Sequence, residues 1–261
     1  MDILILIVVG AIAGTLAGLL GIGGGIIIVP VLAIVFDNQG ISADVLMHMS
    51  IGTSLATIVI TSMSSIRAHQ QQQAIHWAVF KHITPGVVFG AVVGALVAKI
   101  ISGNDLRVGF GIFMLFVAAQ MIFGNTAKPH RQLPKTLGML IAGTAIGTLS
   151  SLMGVGGGSI SVPFLTWCNM AIRNAVATSA AIGLPIAIAG TLGFIFTGWG
   201  VEHRPALSLG FVNMPAFMSI VVASILFAPV GARITHRISP RRLKLFFGTF
   251  LLLLSIKILY A

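Results

Sequence analysis

Charge is what this chain has least of. Of its 261 residues only 5 are Asp or Glu and 15 are Lys or Arg, so 8% are charged, against about 25% in a soluble domain. That is too little to cover a water-facing surface, and the high apolar content excludes disorder as well. The single cysteine, Cys168, excludes a disulfide framework and thiolate clusters, and its apolar neighbours mark it as a small core residue. No acid lies in the middle of any apolar segment, which removes the usual carboxylate proton relay. There is no His-x-x-x-His pair, no pair of close carboxylates and no nucleophile–base pair, so the sequence points to no enzyme, metal site or cofactor.

What is present is apolar. The AVILMFWYC residues make up 57% and the mean hydropathy is +1.06. A helical span needs roughly 20 apolar residues, and the apolar segments fall near 3–20, 26–36, 44–66, 77–101, 106–123, 136–153, 159–170, 174–197, 206–231 and 243–260. Eight are long enough to cross a bilayer, while 26–36 and 159–170 are short enough to be re-entrant or broken helices. The expected fold is an all-α polytopic membrane protein of 8–10 transmembrane segments, with the bilayer as its solvent. Met1-Asp2 runs directly into apolar sequence, without a basic n-region or small-residue cleavage site, so the first segment reads as a retained span. The net charge of +10 would point to nucleic acid in a soluble protein. Here the basic residues sit between apolar segments, so topology explains them and no nucleic-acid partner is expected.

The two halves repeat. Residues 19–32 read LLGIGGGIIIVPVL and residues 152–165 read LMGVGGGSISVPFL, so the glycine run and the following Pro30 and Pro163 align at an offset of 133. Leu106, Phe110, Gly111 and Phe113 match Leu243, Phe247, Gly248 and Phe250 at 137, and Thr53-Ser54 matches Thr178-Ser179 at 125. The chain therefore divides into a first repeat (1–123), a polar cytoplasmic linker (124–134) and a second repeat (135–261), each with four long segments and one short. Five segments is an odd number, so the second repeat enters the membrane from the opposite side, the inverted plan of many secondary transporters.

Charge sets the sidedness. With the segments crossing in turn, Arg67, Lys81, Lys128, Arg131, Lys135, Arg173, Arg233, Arg237, Arg241, Arg242 and Lys244 fall on one side, and Lys99, Arg107, Arg204 and Lys257 on the other. The positive-inside rule makes the richer side cytoplasmic and leaves both termini outside, in a bacterial inner membrane.

The strongest local signal is Gly21-Ile22-Gly23-Gly24-Gly25 with its copy Gly154-Val155-Gly156-Gly157-Gly158. Each opens a short apolar helix, where unpaired N–H groups and the positive dipole end suit an anion. Irregular backbone at membrane depth belongs where it is buried or lines a cavity. Two copies in opposite orientation predict helix N-termini converging near the midplane, with Gly23, Gly24, Gly25, Gly156, Gly157 and Gly158 at a substrate site. A dinucleotide-binding reading fails, because no strand precedes the glycines and no acid follows about twenty residues on. Thr53, Ser54, Thr178 and Ser179 are the hydroxyls expected around that site. Ser159 and Ser161 stand where the first half has Ile26 and Ile28, so the second half adds side-chain donors. Asn213, paired by the repeat with Ile83, is a further polar candidate. His48 and His82 are the residues that could carry a coupling proton. For each hydroxyl the competing explanation is packing or a bond to the preceding turn.

On these motifs, and on Gly52-Thr53-Ser54 with Ala177-Thr178-Ser179, the chain resembles the sulfite exporter TauE/SafE family along essentially its whole length. Ala177 departs from the glycine of the first copy. The resemblance implies export or exchange of sulfite, an organosulfonate or a similar small anion. From the residues alone the reading is a secondary transporter moving a small anion by alternating access, with an anion channel or a non-transporting scaffold as the alternatives and oligomeric state unread; that it is an exporter is what the resemblance implies.

Overall fold

A chain in hydrocarbon must satisfy its backbone polar groups internally, and a helix does so within one segment. The computed structural model describes residues 2–20, 24–123, 132–234 and 240–260; Gly23, most of the 124–134 linker, and Lys128, Arg131 and Arg237 lie outside them. Among the described residues the apolar segments become ten helices: α1 (Asp2–Leu20), α2 (Gly25–Asn38), α3 (Ala43–Gln71), α4 (Trp77–Ile100), α5 (Gly103–Phe123), α6 (Thr136–Leu152), α7 (Gly158–Trp167), α8 (Ile172–Thr197), α9 (Met214–Ile234) and α10 (Pro240–Tyr260). The two short segments are the 14-residue α2 and the 10-residue α7. Of the described helices, α3, α4, α5 and α8 are long and apolar enough to cross a membrane. Phe89 (63% exposed), Phe116 (65%) and Phe196 (76%) stand outward as lipid contact requires.

The segment at 206–231 is not helical from its start. Ser208–Leu209 (β1) and Val212–Asn213 (β2) pair antiparallel around Gly210, and Phe211 N donates to Phe194 O at 3.2 Å. Helix α9 begins only at Met214, where Asn213 Oδ1 accepts from Ala216 N at 3.0 Å, an N-cap. The start of α5 is fixed similarly: Ser102 Oγ donates to Asp105 Oδ2 at 2.7 Å and accepts from Asp105 N at 3.1 Å.

The most extensive helix packing joins the halves. α4 lies along α6, and α1 along α9. Both seams are built on glycine, which lets backbones approach closely. A Cβ on Gly86 or Gly90 would overlap the carbonyl oxygens of Leu140 or Thr144, and one on Gly94 would lie 2.6 Å from Thr148 O. A Cβ on Gly143 would lie 2.6 Å from Ile83 O, and one on Gly10 would lie 2.7 Å from Ile220 O. One on Gly147 would overlap Val87 O, as one on Gly14 would lie 2.5 Å from Ser224 O. The same contact is thus made twice, with α6 offset from α1 by 133 and α9 from α4 by 137. A hydroxyl ties each seam: Thr148 Oγ1 donates to Gly90 O and Ser224 Oγ to Gly10 O, both at 3.0 Å.

Residue numbers rise together along these seams, so α4 runs parallel to α6 and α1 to α9. The pairs formed by repeat counterparts run the other way. Gly183 meets Ser62 and Gly190 meets Leu55 where α8 packs on α3, while Gly111 meets Leu259 and Gly248 meets Ile122 where α5 packs on α10.

Candidate functional site

Both short helices open on a glycine in the left-handed region. Gly24 has φ 70° and ψ −14°, Gly157 has φ 75° and ψ −20°, and neither helix start has a side-chain cap. An L-residue with a side chain is strained in that conformation. Gly24 O accepts from Ile27 N and Ile28 N at 3.1 and 3.2 Å, and Gly157 O from Ile160 N and Ser161 N at 3.0 and 2.7 Å. The first-turn N–H groups of Gly25, Ile26, Gly158 and Ser159 precede these bonds and have no carbonyl of their own helix behind them. Gly24–Pro30 and Gly154–Gly158 are buried.

The two joints touch. A Cβ on Gly25 would lie 2.6 Å from Gly154 O and 3.2 Å from Ser54 Oγ, and Ser54 Oγ donates to that same Gly154 O at 2.8 Å. Ser54 on α3 therefore links the start of α2 to the second glycine run. On α8 a Cβ at Gly183 would lie 2.5 Å from Gly156 O and 3.5 Å from Ser62 Oγ, so the run is held between α3 and α8. Among the described residues no Lys, Arg, Asp or Glu is buried. The field at the joints comes from helix ends and hydroxyls.

Hydroxyls gather at the second joint. Ser159, Ser161 and Ser179 have buried oxygens without a hydrogen-bond partner among the described residues, and so do Ser150 and Ser151 at the end of α6. The last two were not singled out from sequence; their signal was that Ala17-Gly18 occupies the equivalent place in the first half. Ser161 Oγ and Ser150 Oγ lie 3.3 and 3.8 Å from a Cβ position on Gly157.

Thr53, Thr178 and Asn213 serve chain connections instead. Thr53 Oγ1 accepts from Asn213 N at 2.9 Å, and Thr178 Oγ1 accepts from His76 N at 3.0 Å. This is one interaction made twice: His76 precedes α4 as Asn213 precedes α9. The repeat therefore pairs Asn213 with His76, at an offset of 137, and not with Ile83, whose counterpart is Ile220.

The two histidines differ. His48 is buried at 5% exposure, stacked on Phe211 with centroids 5.0 Å apart, and its Nδ1 and Nε2 lie 3.1 and 2.8 Å from Asp44 O and Ala98 O. Both neighbours are carbonyl acceptors, so the tautomer decides which ring nitrogen donates. His82 is exposed on α4 and its Nδ1 bonds only Ala78 O, at 2.7 Å.

Buried polar joints inside a shell of lipid-facing helices define a multi-pass membrane protein. The chain belongs to the sulfite exporter TauE/SafE family, whose pattern it matches over residues 6–258. It is 34% identical over 97% of both chains to a probable membrane transporter protein of Haemophilus influenzae. It is 31% identical to one of Methanocaldococcus jannaschii, over 95% of this chain and 91% of the other. Against one of Bacillus subtilis the identity is 28%, covering 100% and 98%. No solved structure matches the chain. The family and these relatives make it a membrane transporter.

Proposed function

We propose that the protein is a secondary transporter that exports a small anion, sulfite or an organosulfonate, by alternating access around the two glycine joints. The observation that carries this reading is the meeting of two buried, uncapped helix starts, with Gly25 against Gly154 and Ser54 joining them. Amide N–H groups at such ends bind anions without a fixed cation, and family membership supplies the substrate class. The repeats 1–123 and 135–261 are taken as inverted. The antiparallel α3–α8 and α5–α10 counterparts, with both glycine seams made twice, support this. The 11-to-4 division of basic residues supports an inner-membrane orientation with both termini outside and the linker in the cytoplasm.

Export of an anion runs downhill when the inside is negative, by about 2.3 kcal/mol per charge per 100 mV. Import would need a coupling ion. Of the two histidines His48 is the better placed to carry a proton, since its ring lies between two acceptors, whereas His82 faces outward. The test is uptake of labelled sulfite by proteoliposomes, with and without sulfite inside. A carrier accelerates uptake by counterflow, a channel does not, and a scaffold shows neither. Gly24→Val and Gly157→Val each place a branched side chain at left-handed φ. Both are expected to abolish flux while leaving folded protein in the membrane, and full activity in both would remove the joints as the site.

A further inference from the structure

We propose that the two joints are not equivalent, and that a singly charged oxyanion is held by the second joint alone. The inference rests on the anion-transport reading and narrows it to one half of the duplication. At the first joint the side-chain hydroxyl among the described residues is already engaged. Ser54 donates to Gly154 O, that carbonyl closes on Gly25, Ala13 O lies 3.2 Å from a Gly24 Cβ position, and Ile58 Cδ1 and Val29 Cγ2 lie 2.6 and 2.8 Å from Cβ positions on Gly25 and Gly154. Helix α2 continues with Ile26, Ile27 and Ile28, all buried, which offer no side-chain donor.

At the second joint donors are left over. Ser150 and Ser161 are fully buried, their hydroxyls have no partner among the described residues, and both point to within 4 Å of where Gly157 would carry a Cβ. Ser159 adds a third unpartnered hydroxyl one residue beyond Gly158, and Ser179 a fourth on α8, one turn before the Gly183 that touches Gly156 O. Buried polar groups normally find a partner. Several hydroxyls left open beside the free N–H groups of one helix start form a set of convergent donors, the chemistry that recognises oxygen atoms on an anion. Because no lysine or arginine is buried among the described residues, a second negative charge would enter without compensation. The donors therefore favour a monoanion with several oxygens over a dianion of the same shape.

Methanesulfonate and sulfate make that comparison, since both present a tetrahedral sulfur with outward oxygens but differ by one charge at neutral pH. The experiment is thermal unfolding of the purified full chain against each anion, for wild type, Ser150→Ala/Ser161→Ala and Ser54→Ala. Wild type is expected to gain stability in methanesulfonate and not in sulfate. Removing two hydroxyls without partners should leave the unliganded double variant melting at or above wild type, yet weaken the apparent Kd by at least about ten-fold, one charge-assisted bond's worth. Ser54→Ala should melt lower but keep the anion's protection. Undiminished protection in the double variant overturns the proposal and leaves anion transport standing. A double variant melting well below wild type also overturns it, because the hydroxyls would then be structural. Equal protection by sulfate overturns the single-charge preference, and protection of wild type by neither anion overturns both this inference and the anion site beneath it.

Discussion

Gly90→Ala probes the contact on which the two halves depend. A methyl group there would overlap Thr144 O and lie 2.8 Å from Thr144 C, both backbone atoms that no side-chain rotation can move. Relief requires α4 and α6 to separate, and separation also stretches the 3.0 Å bond from Thr148 Oγ1 to Gly90 O. Overpacking of this kind costs about 1–3 kcal/mol, and an interhelical hydrogen bond in a membrane contributes about 0.6 kcal/mol. Alanine regains about 1 kcal/mol of helix propensity over glycine, so the net loss is about 0.6–2.6 kcal/mol. For a chain of this size that corresponds to roughly 1–10 °C in Tm. Gly109→Ala on α5 is the control: nothing lies within 4 Å of its Cβ position, and alanine should stabilise by about 0.5–1 kcal/mol. Thermal unfolding in one detergent reads all three proteins. Gly90→Ala melting at or above wild type, beside a Gly109→Ala that behaves as expected, would show that the seam is looser than these contacts require.

Three further predictions follow from the same geometry. Thr53→Ala and Thr178→Ala each leave a chain N–H, of Asn213 or His76, without its acceptor; both should lose about 1–2 kcal/mol, and a large difference in Tm between them would argue against the repeat correspondence. His48→Gln keeps a donor but carries no ionisable group, so if His48 supplies the coupling proton the pH dependence of sulfite flux flattens, while an unchanged profile removes it from that role. Because Cys168 is buried, it gives little background to an impermeant maleimide. Gln39→Cys, in the exposed turn after α2, should label from outside intact cells, and Gln72→Cys, after α3, only once they are permeabilised; the reverse pattern would invert the topology.

The helix limits were readable because each is set locally. Segments 26–36 and 159–170 became α2 and α7 within a few residues, since glycine starts them and apolar length bounds them. The hairpin ahead of α9 was hidden because Leu207, Leu209, Phe211 and Val212 are as apolar as a span, and the left-handed backbone at Leu207 and Gly210 breaks it. Asn213 and Ile83 each stand two residues before a proline, but Pro215 lies in the first turn of α9 and Pro85 further along α4; the register shows in glycine contacts made across the fold. The candidate site was legible in its backbone: the left-handed starts of α2 and α7 fall at Gly24 and Gly157, in the two glycine runs. It was not legible where it depends on distance in sequence. Ser54 reaches Gly154 O across 100 residues, and Ser150 reads as packing until Gly157 is seen beside it.

The two seams also fix an order of events during synthesis. α1 emerges with its Gly10–Gly14 face bare, and the residues that cover it, Ile220 to Ser224, follow about 210 positions later. At about 5–20 residues per second that interval is roughly 10–40 s, whereas the glycine face of α4 meets α6 after only some 54 further residues, Gly86 to Leu140. Of the two glycine seams, the one that begins with the first helix is thus the last to close. A chain halted after residue 123 would hold neither seam, and the glycine face of α1 stays uncovered by its partner until α9 arrives.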